Sequence, residues 1–425
     1  METGTQAAGQ DKIDYAKLGS LGALHMAQYF PAAFAGIALP AIFRAEGLPL
    51  EMFWLLALPG IPRWFKWLIA LVVDNYGSAR IGYRKSWILP CTFLGALLYY
   101  SLSFIEPSIA TIYVIVTILL VKSFIMAAQD IAVDGFASES LTDHDRTIGT
   151  SIIIFMAYLG GIIGGGLMAV VETVGWSTTM TIACAMLVAA ALPAILRKEP
   201  PPPAASRQRH ERGERPDLIR ALKRQDSRYI LPFVYLFGFG NTFFGALLSV
   251  FLIDKGLSLT EIGIILPLAT FVGVGSGALV TPVFVRRWGL RGAAVVGFVT
   301  LPIEGLVFAW FAATDVLPSI YMMIPILAVL NFTTSIYSFA VNNSRFRWSS
   351  KAQAATDFSM QSSFWNFGVW SAGTVAGFVA AALGWAGFFV VVAVIGMISA
   401  GTYVAMFDRV ERLVVLREQQ EGATA

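Results

Sequence analysis

Apolar residues run along this chain in blocks of twenty or more, separated by short polar stretches. As helix, such a block crosses roughly 30 Å of hydrocarbon. Six spans can be drawn at 18–43, 51–73, 86–106, 109–136, 147–172 and 176–196. Six more follow at 229–253, 260–284, 291–313, 317–342, 353–382 and 384–407. The alternating ten-residue segments of an outer-membrane barrel are absent. Residues 197–228 are polar and carry a run of prolines from Pro200 to Pro203, so they form no span. They read as a cytoplasmic linker, with a short amphipathic helix near Leu218 to Leu222. The pattern predicts an all-α membrane protein of twelve transmembrane helices. It divides into two pseudo-symmetric six-helix bundles, 1–196 and 229–425, joined by the linker 197–228.

Composition supports the membrane reading. Of 425 residues, 56% are hydrophobic and only 13% are charged, with a mean hydropathy of +0.68. A soluble domain of this size carries more surface charge. Met1 to Lys17 is polar and mixed in charge, unlike a cleavable leader, so the first block is expected to stay in the mature protein. Cys91 and Cys184 lie inside apolar blocks and provide neither a disulfide framework nor a metal spacing. No nucleotide-binding, metalloprotease or nucleophile-elbow pattern occurs, which argues against an enzyme. Nothing calls for a cofactor or a bound metal, or for nucleic acid as a partner.

Lysine and arginine set the orientation. With both termini cytoplasmic, 25 of the 30 basic residues fall on the inside. The outside loops hold Arg44 and Lys255, and Arg63, Lys66 and Lys122 lie within spans. The halves also share loop signatures. Gly47-Leu48-Pro49-Leu50-Glu51 enters the second span and Gly256-Leu257-Ser258-Leu259-Thr260-Glu261 the eighth. Pro107-Ser108-Ile109 opens the fourth, and Pro318-Ser319-Ile320 the tenth. Two halves facing the same way suit a transporter that rocks one half against the other around a central site.

Charges inside the spans mark candidate chemistry. A basic residue at mid-membrane costs about 2.5–3.5 kcal/mol on insertion scales. Arg63 and Lys66 share a helix face just after Pro59, Gly60 and Pro62, and a proline-interrupted span carrying charge points to a substrate site. The fourth span carries Lys122 at mid-depth, with Gln129, Asp130 and Asp134 towards the cytoplasm. Lys66 and Asp130 either neutralise each other between helices, leaving Arg63 and Lys122 to find partners, or join these two in attracting an anionic solute. In the first span His25, Gln28 and Tyr29 precede Pro31. Asn241 and Thr242, Asn331, and Asp357, Gln361, Trp365 and Asn366 offer polar groups for a second wall. Glu304 stands beside Pro302 as an isolated carboxyl. It suits a proton carrier or a structural glutamate bonded to a neighbouring helix. Gly160, Gly161 and Gly164 to Gly166 strip one helix of side chains and permit close helix contact.

Between the second and third spans stands Asp74-Asn75-Tyr76-Gly77, followed by Arg80, Gly82, Arg84 and Lys85. This resembles the cytoplasmic signature of the major facilitator superfamily. It reads as a charge latch in which Asp74 pairs with basic groups such as Arg84. Ala70 stands where a glycine is common, the loop is longer, and the second-half counterpart Arg286-Arg287-Trp288-Gly289-Leu290-Arg291 lacks the acid. A narrower resemblance rests on Phe65-Lys66-Trp67-Leu68, on Ala128-Gln129-Asp130-Ile131-Ala132-Val133-Asp134, and on Ala354-Ala355-Thr356-Asp357-Phe358-Ser359 with Ser362-Ser363. These are similar to the peptide/acetyl-coenzyme-A transporter family. Tyr29-Phe30-Pro31-Ala32-Ala33-Phe34 and Trp64-Phe65-Lys66-Trp67 are closer to its siderophore branch. The resemblance implies import of an intact, anionic ferric siderophore across the bacterial inner membrane by alternating access, driven by protons. Muropeptide uptake is the alternative. Asp74, Arg84, Asp130, Asp134, Glu304 and Asp357 are the expected coupling or gating residues, Arg63, Lys66, Lys122, His25, Gln28, Tyr29, Gln129, Asn241, Asn331, Gln361 and Trp365 are expected on the solute, and His25 is also a candidate for coupling. The expected partners are that solute, the lipid bilayer and protons.

Overall fold

In a computed structural model, the protein is described at residues 14–78, 80–141, 146–196, 199, 222–349 and 354–424. Among these residues, eight helical stretches are long and apolar enough to cross a membrane. Two of them, Leu259–Thr314 and a 63-residue stretch from Asp357 to Gln419, exceed any bilayer thickness. Each turns at a glycine with left-handed φ and extended ψ, Gly289 (67°, 178°) and Gly384 (67°, 176°). Side chains avoid that backbone conformation, and glycine accepts it at no steric cost.

The helices in chain order are α1 (Tyr15–Ala33), α2 (Leu39–Ala45), α3 (Trp54–Ala57), α4 (Lys66–Asn75), α5 (Lys85–Leu102), α6 (Ile112–Ser140), α7 (Arg146–Val174) and α8 (Trp176–Leu196). Then come α9 (Ser227–Ala246), α10 (Leu248–Asp254), α11 (Leu259–Thr314), α12 (Ile320–Trp348) and α13 (Ala354–Thr424). Helix starts follow capping chemistry: the Asp14 carboxylate accepts the Lys17 N–H at 2.9 Å, and Ser258 with Glu261 forms a capping box on α11. The expected helix at Leu218 to Leu222 and most of the linker lie outside the described residues.

The glycine of the first repeated loop signature adopts one geometry in both halves. Gly47 and Gly256 sit at φ 83° and 87°. Leu48 N–H reaches Phe43 O at 2.9 Å, and Leu257 N–H reaches Leu252 O at 3.1 Å. Each glycine ends its helix in the left-handed cap that only this residue enters freely.

Within residues 15–196, α1 packs on α7 and α8, and α5 on α6 and α8; in the remainder, α11 packs on α12 and α13, and α9 on α13. The two parts meet where α7 faces α11, where α2 faces α10, and where the 50–65 segment faces α13. The apolar core divides unevenly. One cluster joins both parts through Phe43, Leu48, Phe251, Phe308 and Phe389, near the ends where Arg44 and Lys255 lie. At the opposite, arginine-rich end the cores are separate. Leu21, Ile88 and Val133 belong to one, and Phe233, Tyr337 and Tyr403 to the other. A molecule welded at one end and split at the other has room for a cavity that opens at the split.

α7 lies unusually close to α1. A methyl built on Gly160 would stand 2.7 Å from Met26 O, and one on Gly164 would run into Phe30 O. These two glycines, not Gly161, make the close approach expected of the glycine-rich run. Gly164→Ala is expected to destabilise the protein by about 2 kcal/mol or more, since the obstacle is backbone and cannot swing aside. Thermal unfolding in detergent reads this, and an unchanged midpoint would contradict the packing described.

Candidate functional site

The second span is not one helix. After α3 the chain winds as a 3-10 helix over Leu58–Phe65, with Pro59 near its start and Pro62 inside. Proline supplies no N–H and clashes with the preceding turn, so an α-helix does not persist there. Eight residues is long for this tighter winding, in which positions three apart eclipse. Arg63 and Lys66 therefore point the same way, and both line the cavity. The first span is also interrupted. α1 contains Pro31 and passes into a π-helical turn at Phe34–Ala38 before α2 begins.

The cavity encloses about 450 Å³ between these two irregular segments, α6, α9 and α13. α6 presents one face to it through Lys122, Ser123, Met126, Asp130 and Asp134. From α1 come His25, Gln28 and Tyr29. The facing wall is built by Thr242, Asn366 and Trp370. Trp370 stands edge-on to Trp64, ring centroids 4.2 Å apart, and Phe367 packs on the same tryptophan at 4.7 Å.

The charges fall into two groups. Lys66 Nζ pairs with Asp130 Oδ2 and lies 3.7 Å from Asp134 Oδ2. His25 Nε2 lies 3.5 Å from Asp134 Oδ1. Arg63 and Lys122 stand apart from this network. Lys122 is only 4% exposed, and its ammonium lies 5.3 Å from the centroid of the Tyr99 ring. Arg63 is exposed to the chamber. Among the described residues neither Lys122 nor Arg63 has a carboxylate partner. Three cations against two carboxylates leave the cavity one positive charge in excess, before His25 is counted. Both amide atoms of Gln28 and the indole nitrogen of Trp370 are buried without a hydrogen-bond partner among the described residues.

Several residues expected at the cavity sit elsewhere. Gln129 is fully buried between helices, where its amide donates to Thr92 Oγ1 at 3.3 Å. Asn241 accepts the hydroxyl of Tyr337, and Asn331 caps its own helix turn by donating to Leu327 O at 2.8 Å. Gln361 donates to Arg345 O and Ser349 Oγ, both at 3.3 Å. Trp365 packs on Phe237 and under the Arg345 guanidinium. Each lies on the expected helix, but its side chain leaves from a face turned away from the chamber. Glu304 is buried on α11 away from the cavity, and its Oε1 has no hydrogen-bond partner among the described residues. It is therefore neither placed to pass protons through the chamber nor bonded across through that oxygen. Asp357 is buried and accepts Arg224 Nη2 at 2.6 Å, which ties the start of α9 to α13. Arg84 engages Glu139 of α6 at 2.8 Å, while the Asp74 side chain lies outside the described residues. Of the residues not foreseen, Ser123 follows Lys122 directly. Val369, Trp370 and Gly373 follow the expected Asn366 at three- and four-residue steps, the spacing of a single helix face.

The end bearing Arg44 is shut. Arg44 makes a two-pronged contact with Asp254, Nε to Oδ1 at 2.5 Å and Nη2 to Oδ2 at 2.8 Å. Trp385 Nε1 donates to Asp254 Oδ2 at 2.9 Å, and Ser249 Oγ donates to Ile37 O at 3.0 Å. Glu172 accepts the Thr260 N–H at the start of α11. At the arginine-rich end, the pairs Arg84–Glu139, Arg224–Asp357 and Arg291–Asp408 each stay within one part. There Asp134 keeps 57% of its side chain exposed.

An Arg44 end held shut by contacts between the two parts, beside a central chamber lined with charges, is the geometry of a membrane carrier. Residues 21–344 match the Major Facilitator Superfamily, and the chain belongs to that family: a multi-pass membrane transporter, not an enzyme. It is 24% identical over 369 residues to the anhydromuropeptide permease of Escherichia coli (strain K12), covering 86% of this chain and 74% of that one. It is likewise 24% identical over 339 residues to "Putative transporter AmpG 4" of Rickettsia conorii, covering 75% and 79%. Among solved structures, the nucleoside transporter NupG superposes with a TM-score of 0.72 at 17% identity, over 92% of this chain and 99% of that one. An inward-facing bacterial homologue of the lysosomal transporter Spinster gives 0.68 at 14%, over 93% and 96%. The expected superfamily is thereby established. The siderophore branch finds no support among these relatives.

Proposed function

We propose that the protein imports anionic muropeptide-type solutes, and not ferric siderophores, across the bacterial inner membrane by proton-driven alternating access. Twelve crossings form two bundles, 1–196 and 229–425. They rock about the cavity with the basic end, and both termini, in the cytoplasm. The observation that carries the reading is the pair of cations without a carboxylate partner among the described residues, Arg63 and Lys122, lining one chamber. A membrane helix does not keep such charges without use. Carboxylates of a peptide stem would neutralise them. The Trp64–Trp370 wall offers a ring face to the uncharged remainder. The permease relatives carry the name of that cargo class.

The test is uptake of a labelled anhydromuropeptide into proteoliposomes under an inward proton gradient. Wild-type protein is expected to accumulate it, and Arg63→Ala to reduce uptake at least about tenfold, the loss of one charged contact. Accumulation of a ferric siderophore but not of the muropeptide would overturn the assignment.

A further inference from the structure

His25 presents its two ring nitrogens to groups of different kinds. Nδ1 lies 2.9 Å from the backbone oxygen of Leu21, one turn back on α1. A carbonyl oxygen only accepts, so the hydrogen in that contact belongs to Nδ1. Nε2 faces Asp134 Oδ1 across 3.5 Å. With Nδ1 carrying the hydrogen, a neutral ring offers Asp134 a lone pair, and an ionised carboxylate offers one back. Two acceptors repel in that arrangement. One shared proton turns the repulsion into attraction, whether it sits on Nε2 or on the carboxyl.

The surroundings give this proton a path and a competitor. The His25 side chain is 8% exposed and that of Asp134 is 57% exposed, so water reaches the pair through the carboxylate. Lys66 lies 3.7 Å from the other oxygen of Asp134 while it pairs with Asp130. The remaining charged or titratable groups facing the pair are Asp130 on α6, Arg63 on the 3-10 segment, Tyr29 on α1 and, beside Tyr29, Tyr158 on α7. Asp134 can thus be compensated in two ways, by the ammonium of Lys66 or by a proton held with His25.

We propose that His25 and Asp134 form the proton-binding site of the carrier, and that Lys66 links its occupancy to the solute. This rests on the import reading above. An anion drawn to Arg63 and Lys122 also attracts Lys66. As Lys66 turns from Asp134, the uncompensated carboxylate takes up a proton with His25. When the solute leaves, Lys66 returns and the proton is released to water at the open end. Solute and proton therefore bind with positive coupling, and each raises the affinity for the other by the same factor. That is the linkage a symporter needs.

Calorimetry of anhydromuropeptide binding to the purified full chain, in two buffers of different ionisation enthalpy, counts the protons taken up. The wild type is expected to take up close to one per solute between pH 6 and 8. His25→Gln, whose amide can still bond Asp134, is expected to take up none, and Asp134→Asn likewise. The pH dependence of solute counterflow in proteoliposomes should flatten in both. Wild-type binding without proton uptake overturns the proposal with no variant needed, and so does an unaltered proton count in His25→Gln. Absence of any wild-type binding would instead strike the import reading on which it rests.

Discussion

Replacing Lys122 with methionine is expected to abolish uptake of an anionic solute while making the empty protein more stable. The two effects have one cause. Lys122 is 4% exposed, and its contact with the Tyr99 ring at 5.3 Å does not replace a carboxylate. A buried ammonium without a counter-ion loses several kcal/mol of hydration, and a ring face returns about 2 kcal/mol of it. Cavity water reduces the deficit, leaving a gain of roughly 1–3 kcal/mol when methionine fills the same volume. In detergent the melting midpoint should rise by a few degrees, while uptake falls at least about thirtyfold. Lys66→Met makes the contrast. It strands Asp130, so it should lower stability by about 3 kcal/mol. If Lys122→Met melts lower than wild type, the lysine has a structural partner and is not held ready for cargo. Proteins commonly give up stability at the site they use, and opposite signs at two lysines on one cavity would separate that role from ordinary pairing.

The helices are legible in the sequence because membrane spans announce themselves by length and apolarity alone. The reversal at Gly289 shows there as a gap between spans and that at Gly384 as the first residue of the last span, although the backbone passes through each with a single non-helical residue. The cavity is legible well on one side and only in part on the other, where Thr242 and Asn366 are foreseen among residues that prove to lie elsewhere and Trp370 is not foreseen. Arg63, Lys66, Lys122, Asp130 and Asp134 are charges in hydrocarbon, and their cost makes them conspicuous in the bare sequence. The opposite wall is built from Thr242, Asn366 and Trp370, whose residue types also occur in ordinary helix packing. There the deciding quantity is the rotation of each helix about its axis. That rotation is set by neighbours such as Gly238, whose missing side chain leaves its place to the backbone oxygen of Trp365. Such packing turns Gln361 and Trp365 into the protein and Asn366 and Trp370 into the chamber. Polarity along one strand of sequence carries no record of it.

Reversing the charge of Arg44 is expected to stop transport, and exchanging the two partners is expected to restore it. Arg44 on α2 and Asp254 on α10 join the two parts of the chain through two parallel hydrogen bonds. Each partner is anchored further, Arg44 to Leu48 O at 2.8 Å and Asp254 to Trp385 Nε1 at 2.9 Å. Their side chains are 23% and 19% exposed, so water screens the pair only in part. A forked, half-shielded ion pair of this kind stabilises closure at this end by about 1–2 kcal/mol. These bonds must break whenever the carrier opens outward. Arg44→Ala therefore shifts the balance roughly tenfold toward the outward-open form. Arg44→Asp shifts it further, because two carboxylates then meet where the halves should close. A carrier held open on the outside loads cargo and cannot deliver it, so uptake should drop more than about tenfold while solute binding persists. The readout is labelling of Ser123→Cys by an impermeant thiol reagent added from the Arg44 side. Labelling should speed up in Arg44→Asp and slow again in Arg44→Asp with Asp254→Arg. Equal labelling rates in all three would show that closure depends on the apolar weld of Phe43, Leu48 and Phe251 and not on the ion pair above it.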